Sequence, residues 1–363
     1  MKLQVTQENL NRALSNVARV ANSRNALPIL SNVLIKTVDN RVCVAATNLN
    51  IAITHYIGSK VSDKGAITVP ARLTQDFVGS LPSSVIELSL EDTKLHISTE
   101  KYQSTINGTL ADDYPVMPTI KDGQEWSLPA QTLKKAFQQV IIAASTDETR
   151  PILTGIYLYT QNKELFAAAT DSYRLAEKKI MSLDKEVKLL IPASSIQDLL
   201  RVLPDTDEQV KVVHDEQQVL FSTGDTELVT RLIEGNYPDY KKLIPEKFAA
   251  SASLKKSDFV NITKVSSLFA REAAGSITIE LNKAKGLIQI NSIASQLGEN
   301  TAEAEAEVSG DGKITLNSRY ILDALNVIDD EQVTISFNGK LEPCVIAPAG
   351  NEDYTHVVMP LKS

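Results

Sequence analysis

The stretch VPARLTQDFVGSLP at residues 69–82 recurs as IPASSIQDLLRVLP at 191–204 and as LNSRYILDALNVID at 316–329. Each copy has apolar residues at helical spacing and an aspartate at the same point, namely Asp76, Asp198 and Asp323. The pattern predicts an amphipathic helix in every copy, with the aspartates in structural roles. Because the copies are separated by the length of a small domain, they indicate three repeated domains within one chain.

A second amphipathic segment precedes each copy, reading VTQENLNRALSNVARVA at 5–21, LPAQTLKKAFQQVIIAA at 128–144 and LKKSDFVNITKVSSLFA at 254–270. Apolar residues at helical spacing predict one buried stripe in each helix. The predicted stripes are Leu10, Leu14, Val17 and Ala21, then Leu133, Phe137, Val140 and Ala144, then Phe259, Ile262, Val265 and Phe269. Alternating strand patterns surround the helices, so each repeat is predicted to be an α+β domain with helices packed on antiparallel sheet.

Two proline-containing stretches mark the ends of the first two repeats, YPVMP at 114–118 and YPDYKKLIP at 237–245. Each leads directly into the next helical pattern, as a linker does. The sequence therefore predicts domains at 1–118, 119–245 and 246–363. We interpret the end of the chain, from Thr355 to Ser363, as a free tail.

Composition and motifs argue against catalysis. The chain has 363 residues and a formal charge of −8, which leaves open how the charge is distributed. Its four histidines are isolated, and the sequence contains neither a phosphate-binding loop nor a nucleophile motif. We predict a protein that is not an enzyme and that uses no cofactor and no metal.

The sequence also predicts a cytoplasmic protein without a membrane partner. No apolar run approaches the length of a membrane span, and the N-terminal residues lack the pattern of a secretory signal. The two cysteines, Cys43 and Cys344, are far apart in the sequence, and we expect both to be reduced and buried.

Five motifs together resemble the sliding clamp family, the β subunit of bacterial DNA polymerase III. They are LPIL at 27–30, VPAR at 69–72, ATDSYRLA at 169–176, YPDYKKLIP at 237–245 and HVVMPLKS at 356–363. The resemblance covers the whole chain. It implies three clamp-type domains with helices inside and antiparallel sheets outside, and two copies closed head to tail into a homodimeric ring.

The same resemblance implies a processivity function in DNA replication. The ring would encircle duplex DNA without sequence specificity, so it needs positive potential and no contacts to base edges. The implied protein partners are the replicative polymerase, the clamp loader and repair polymerases, all bound through short linear peptides.

Matching positions give three sets of candidate site residues. The DNA-binding candidates are Arg24, Arg72 and Arg150, whereas Ala193, Ser194 and Ser195 stand where the family commonly has basic residues. The candidates for the peptide pocket are Leu153, Thr170, Ser172, Tyr173, Arg174, Leu175, Pro238, Lys242, Leu243, Leu341, Pro343, Val357, Val358, Met359, Pro360 and Leu361. The dimer candidates are Leu268 and Phe269 with Tyr102 and Ser104, the last at a position where the family has an aromatic residue.

Independent support for the pocket comes from the end of the chain. An apolar run of Val-Val-Met-Pro-Leu is unusual to leave in water, and a pliable methionine suits a groove that accepts varied peptides. Two other hypotheses stay open. One is a peptide-binding scaffold that kept the clamp fold but does not encircle DNA, and the other is an enzyme whose site lies across repeat boundaries.

Overall fold

The computed structural model describes residues 1–21, 27–294 and 298–361. The described chain forms two compact units. The first comprises Met1–Thr132 with Gln197–Leu232, and the second comprises Leu133–Ile196 with the chain from Ile233 onward.

In the described residues, the first repeat forms two α-helices and nine strands. They are β1 (Lys2–Thr6), α1 (Gln7–Ala21), β2 (Asn32–Val38), β3 (Arg41–Thr47), β4 (Ile51–Gly58), β5 (Lys60–Asp63), β6 (Ala66–Pro70), α2 (Ala71–Ser80), β7 (Val85–Glu91), β8 (Lys94–Ser98) and β9 (Gln103–Asn107).

The second repeat follows the same plan. Its elements are β10 (Gln124–Pro129), α3 (Ala130–Ile141), β11 (Gly155–Gln161), β12 (Glu164–Thr170), β13 (Arg174–Ser182), β14 (Lys188–Pro192), α4 (Ala193–Val202), β15 (Gln209–His214), β16 (Gln218–Thr223) and β17 (Thr226–Arg231).

The third repeat ends close to the C-terminus. Its elements are β18 (Ala250–Lys255), α5 (Lys256–Phe269), β19 (Ser276–Asn282), β20 (Leu287–Ala294), β21 (Gly298–Glu305), β22 (Glu307–Val308), β23 (Gly312–Asn317), α6 (Ser318–Val327), β24 (Gln332–Phe337), β25 (Cys344–Pro348) and β26 (Tyr354–Val358).

The three copies of the opening motif all form helices, as predicted: α2, α4 and α6. A proline stands immediately before α2 and before α4. In α6 the same position is Asn317, whose side chain caps the helix by accepting the Arg319 N–H at 2.9 Å. Local periodicity therefore predicted these helices correctly.

The predicted buried stripe of α5 is wrong at Val265 and Phe269. Val265 is 47% exposed, and the buried face instead continues through Thr263 and Ser266. The reason is a polar contact with β21, where the Asn300 amide donates to the Ser266 hydroxyl at 3.0 Å. A partnered serine can be buried at low cost, so the apolar residues face outward.

A smaller error concerns α3, whose predicted stripe ended at Ala144. The helix ends at Ile141, and the residue that is fully buried after it is Ala143.

The sheets of the first unit cross the border between repeats. A five-stranded sheet has the order β5-β1-β7-β8-β9, and an eight-stranded sheet has the order β10-β15-β16-β17-β4-β3-β2-β6. The junction is the antiparallel pair of β17 with β4, with Thr230 opposite Ile51. Strands of the second repeat therefore extend a sheet of the first.

The second unit repeats this arrangement. A nine-stranded sheet has the order β14-β11-β12-β13-β26-β25-β24-β18-β22, and a four-stranded sheet has the order β21-β20-β19-β23. The interpretation of the chain from Thr355 onward as a free tail is wrong, because β26 lies in the middle of the larger sheet. It pairs with β13 on one side and β25 on the other.

Both cysteines are free and buried, as the sequence predicts. Burial raises the pKa of the Cys43 thiol to about 11, and it also raises that of Cys344. Both therefore stay protonated at neutral pH, which makes them unreactive.

Candidate functional site

A tight loop between β12 and β13 shapes the first part of the candidate pocket. The Thr170 hydroxyl donates to the Arg174 carbonyl at 2.7 Å and accepts the Ser172 N–H at 3.2 Å. Asp171 Oδ1 accepts the backbone N–H groups of Tyr173 and Arg174, each at 2.9 Å. Ser172 has a φ of +79°, which is uncommon for a residue other than glycine. The loop leaves Tyr173 60% exposed.

Arg174 is held by two carboxylates and an aromatic ring. Its Nε donates to Asp171 at 3.0 Å and its Nη1 donates to Asp323 at 2.6 Å, while the guanidinium carbon lies 4.5 Å from the centroid of the Tyr320 ring. The side chain is only 11% exposed. These contacts fix the direction of the guanidinium, because each partner constrains a different part of it.

Sequence reasoning missed Tyr320 at this site and treated Asp323 only as a helix residue. The one available signal was the recurrence of an aspartate in all three second helices. The partner of Asp323 is Arg174 on β13, which is too far away in sequence to be inferred from spacing.

The end of the chain lies against the loop through backbone hydrogen bonds. The Met359 N–H donates to the Tyr173 carbonyl at 2.9 Å, and the Leu361 N–H donates to the Thr315 carbonyl at 2.9 Å. Met359, Pro360 and Leu361 are all partly exposed. The segment after β26 is therefore a docked, half-covered apolar surface.

Val357 and Val358 differ from the three residues that follow them. They belong to β26 and are 1% and 0% exposed. Val357 lies opposite Leu175 of β13, and both pack in a buried cluster with Tyr159, Tyr240 and other side chains. In this conformation the two valines support the surface from within.

The linker after the second repeat adds exposed residues. Pro238 is exposed, Leu243 is 48% exposed, and Lys242 forms an ion pair with Asp239 at 2.8 Å. The Leu243 N–H donates to the Tyr240 carbonyl at 2.9 Å, which closes a short 3₁₀ turn.

Two buried tyrosines hold the linker in place, Tyr159 from β11 and Tyr240 from the linker itself. The Tyr159 hydroxyl donates to Glu177 at 2.9 Å, and Tyr240 also donates to the same carboxylate. Burial raises the pKa of both phenols, so they act as neutral donors at physiological pH. Glu177 is paired with Lys241 at 3.6 Å as well.

The remaining pocket candidates lie on other segments of the chain. Leu153 is partly exposed in a 3₁₀ turn, where its N–H donates to the Arg150 carbonyl at 3.0 Å. Leu341 is 70% exposed and Pro343 is partly exposed, and both precede β25. Since β25 pairs with the edge of β26 that faces away from β13, these two residues lie on the far side of β26 from the loop. All pocket candidates belong to the second compact unit.

The DNA-binding candidates have different surroundings. Arg24 lies outside the described residues. Arg72 lies in the first turn of α2, with an 82% exposed side chain and a long 3.9 Å contact to Asp76. An ion pair this long and this exposed is weak. The guanidinium is therefore accessible to an external anion.

Arg150 contacts the loop of the candidate pocket. Its Nε donates to Asp147 at 2.9 Å and its Nη1 donates to the Ser172 hydroxyl at 3.1 Å. The Thr149 hydroxyl, together with backbone and Arg150 hydrogen bonds, lowers the pKa of Asp147. Sequence reasoning missed this contact between a DNA candidate and a peptide candidate.

At the start of α4, Ala193, Ser194 and Ser195 stand where the family commonly has basic residues, and the structure distinguishes two of these positions. Ser194 is exposed, whereas Ser195 is only 4% exposed and has partners within the protein. A basic side chain could therefore reach solvent from position 194 but not from position 195 without rearrangement.

The dimer candidates all lie at surfaces. Tyr102 is 48% exposed before β9, and Ser104 lies within β9, an edge strand of the five-stranded sheet. Leu268 is 51% exposed near the end of α5, where Phe269 is partly exposed. Leu268 and Val265 form an apolar, outward-facing patch on α5.

The described residues form neither a metal-binding cluster nor a membrane-spanning helix. Among residues 1–21, 27–294 and 298–361, no group of three or more histidine, cysteine or acidic side chains could hold a metal ion. The described part of the chain also has no helix that is long and apolar enough to cross a membrane.

This architecture matches one class of protein, the DNA polymerase sliding clamps. The chain aligns over its full length with the Bacillus subtilis sliding clamp structure, with a TM-score of 0.95, 29% identity and coverage of 99% of that chain. A Pseudomonas aeruginosa DnaN sliding clamp bound to griselimycin gives a TM-score of 0.95 and 25% identity, with full coverage of both chains. The beta sliding clamp of Staphylococcus aureus strain Mu50 is 30% identical over 96% of each chain.

Models of the DNA polymerase III beta subunit match three consecutive parts of the chain. The N-terminal domain model matches residues 1–118, the central domain model matches 127–239, and the C-terminal domain model matches 241–362. The chain belongs to the DNA polymerase III beta subunit family, the beta sliding clamps.

Membership confirms the predicted clamp fold and sliding clamp function. The family consists of non-catalytic processivity factors of DNA polymerase III. Membership therefore excludes the hypothesis of an enzyme whose site lies across repeat boundaries.

Proposed function

We propose that two copies of this chain close head to tail into a ring that encircles duplex DNA in the cytoplasm. Partner polymerases and the clamp loader dock on it through short linear peptides. The observation that carries the proposal is the match to sliding clamps over the entire chain, with a TM-score of 0.95.

The groove proposed for partner peptides combines the loop that carries Tyr173 with the segment from Met359 to Leu361. Its apolar wall is half-exposed, and Arg174 supplies a fixed cation beside it. Pro238, Lys242 and Leu243 form the linker side, with Leu341 and Pro343 at the rim. An apolar wall with few oriented polar groups suits a short peptide that carries an apolar anchor.

The proposed domain borders follow the linkers, with domains at 1–118, 119–245 and 246–363. The groove then belongs mainly to the second domain, with the C-terminal segment contributed by the third. The three family matches, which end at residues 118, 239 and 362, support this division.

Non-specific DNA contact is proposed for Arg24, Arg72 and Arg150, which would attract phosphate groups. The accessible guanidinium of Arg72 supports this role. Arg150 is partly engaged by Asp147 and Ser172, so it would contact phosphate only with the exposed part of its side chain.

A second candidate is a peptide-binding scaffold that keeps the clamp fold without encircling DNA. The observations that favour it are Ser104 at the aromatic dimer position and the lack of basic residues at 193–195. The two candidates differ in how they hold DNA, so one experiment separates them.

The test is retention on DNA after loading. A ring stays on nicked circular DNA through a high-salt wash and leaves when the circle is cut, because salt weakens charge contacts but does not break a topological link. Equal loss from circular and linear DNA would disprove encirclement and favour the scaffold.

A further inference from the structure

The loop that shapes the candidate groove has a copy in the first repeat, between β3 and β4. The Thr47 hydroxyl donates to the Ile51 carbonyl at 2.9 Å and accepts the Leu49 N–H at 3.0 Å. Asn48 Oδ1 accepts the N–H groups of Asn50 and Ile51, each at 3.0 Å. Leu49 has a φ of +75°, close to the +79° of its counterpart Ser172. The backbone of the two loops is therefore built by the same set of bonds.

The strand that docks beside this loop is copied as well. The Arg231 N–H donates to the Asn50 carbonyl at 2.9 Å, just as the Met359 N–H donates to the Tyr173 carbonyl at 2.9 Å. Thr230 lies opposite Ile51, as Val358 lies opposite Arg174 in the second unit.

The linker beside the copy begins with a buried tyrosine. The Tyr114 hydroxyl accepts the Thr47 N–H at 3.2 Å and donates to the Asn32 carbonyl at 3.1 Å. Tyr114 and Tyr237 both precede a proline, Pro115 and Pro238, in their linkers. Loop, strand and linker thus recur together in the first unit.

These three parts enclose a cavity of about 120 Å³. Its apolar lining includes Leu49, Ile51, Pro115, Val116 and Val229. Val116 is 94% exposed and Leu49 is 48% exposed, so two large aliphatic side chains face solvent at one cavity. Apolar side chains that line a cavity together with a few polar groups are the usual surroundings of a bound ligand.

The groove proposed at the Tyr173 loop and residues 359–361 is called the C-terminal groove below. The side chains of the first-unit cavity differ from those of that groove, and the difference changes the preferred ligand. Ile51 stands where the second loop has Arg174, so the enclosed cation and its carboxylates are absent from the first loop. Arg231 stands where the last segment has Met359, and its exposed side chain has no carboxylate within ion-pair distance among the described residues. An acidic group would complement this cation.

We propose that this cavity is a second peptide-docking site, for a short extended segment with a leucine-type side chain next to aspartate or glutamate. The apolar side chain packs against Leu49 and Val116, and the carboxylate pairs with Arg231. The inference rests on the proposed function in one respect: a peptide is chosen as the ligand because the C-terminal groove, which this cavity resembles, is proposed to bind peptides.

The test uses fluorescence anisotropy with fluorescein-labelled hexapeptides that carry two leucines and one aspartate. Matched peptides replace the aspartate with asparagine or lysine. The protein is used whole and also without residues 359–363, so that binding to the C-terminal groove is removed. The aspartate peptide is expected to bind the shortened protein, and the asparagine peptide is expected to bind several-fold more weakly.

Variants then locate the binding. Val116→Asp is expected to weaken the aspartate peptide at least tenfold, and Arg231→Glu is expected to reverse the preference toward the lysine peptide. The matched control is Val85→Asp, a 58% exposed valine on β7, which is expected to leave binding unchanged. Thermal melting of each variant checks that it is folded.

The outcomes separate this site from the C-terminal groove. Binding by the whole protein but not by the shortened one would overturn the second site and leave the proposed function standing. Equal weakening by Val116→Asp and Val85→Asp would also overturn it. Binding to the shortened protein that depends on Val116 and Arg231 supports it, even if the C-terminal groove takes no peptide.

Discussion

The Arg174 guanidinium pairs with two carboxylates, those of Asp171 and Asp323. Its own side chain is only 11% exposed. We predict that Arg174→Ala lowers the free energy of unfolding by about 2–4 kcal/mol, because it leaves two acidic groups without their cation. Urea denaturation measures the change.

The control for this prediction is Arg41→Ala. Arg41 pairs with Asp225 at the surface, where the two side chains are 44% and 58% exposed. Its removal is expected to cost less than about 1 kcal/mol, because solvent screens such pairs. Similar losses for both variants would contradict the role given to Arg174.

His356 makes the stability depend on pH. Burial, with a smaller contribution from the Arg174 charge, lowers its pKa from 6.5 to about 3. Between these values the unfolded chain binds a proton and the folded chain does not, so stability falls as the pH drops below about 6.5. The expected slope is about 1.4 kcal/mol per pH unit, or about 2 kcal/mol between pH 7.5 and 5.0.

Urea denaturation at the two pH values measures this slope. His356→Gln is expected to reduce it, whatever its effect on absolute stability, because this titrating group is gone, while His55, whose pKa is also lowered by burial, still contributes. His96→Gln serves as the control, since His96 lies at a partly exposed position beside Glu91. An unchanged slope in His356→Gln would assign the pH dependence to other groups.

Among the elements, the segment after β26 combines a structural strand with a candidate binding surface. We predict that deleting residues 359–363 abolishes binding of a partner-polymerase peptide while the fold survives. Every backbone pair of β26 ends at Val358, so within residues 359–361, the described part of the deleted segment, the backbone hydrogen bonds lost are those of Met359 and Leu361. Anisotropy reports the peptide and circular dichroism reports the fold.

The control is a longer deletion that begins at Tyr354. It removes a central strand of the nine-stranded sheet and is expected to unfold the second unit. Retained peptide affinity after the short deletion would remove Met359, Pro360 and Leu361 from the proposed groove.

The elements differ in how well the sequence predicts them. The helices α2, α4 and α6 were predictable because their signal is periodic within ten residues of chain. Strand β26 was not, because Thr355 and His356 interrupt its apolar pattern and its partner β13 lies far away in sequence. The outward side of α5 was also unpredictable, since the Ser266–Asn300 bond that buries the other side joins two distant segments.

The candidate site was predictable only where a motif carried it. The residues of the loop at Thr170 came from a recognisable sequence, whereas Tyr320 was missed because it joins the site solely through tertiary packing on Arg174. The same limit applies to Arg150, whose contact with Ser172 has no local signal.

At the scale of the whole molecule, the proposed ring would close through surfaces that one chain leaves exposed. We predict that Leu268→Asp raises the dimer dissociation constant at least thirtyfold, equivalent to about 2 kcal/mol, because it places a charge in an apolar contact. Native mass spectrometry across a dilution series measures the populations of monomer and dimer.

The control is Leu73→Asp on α2. Leu73 is 56% exposed and Leu268 is 51% exposed, so the two substitutions change similar surface area. The control is expected to remain dimeric. Equal dissociation of the two variants, or of neither, would exclude the proposed contact on α5.

The pairing of β17 with β4 has a consequence for anyone who divides the gene. Cutting the chain at residue 118, where the repeat pattern invites it, would leave β4 with a bare hydrogen-bonding edge over a strand that is buried at most positions. Such an edge recruits a strand from another molecule, so the isolated piece is expected to aggregate. The first sequence repeat ends at residue 118, but the compact unit that folds extends beyond that border into the second repeat.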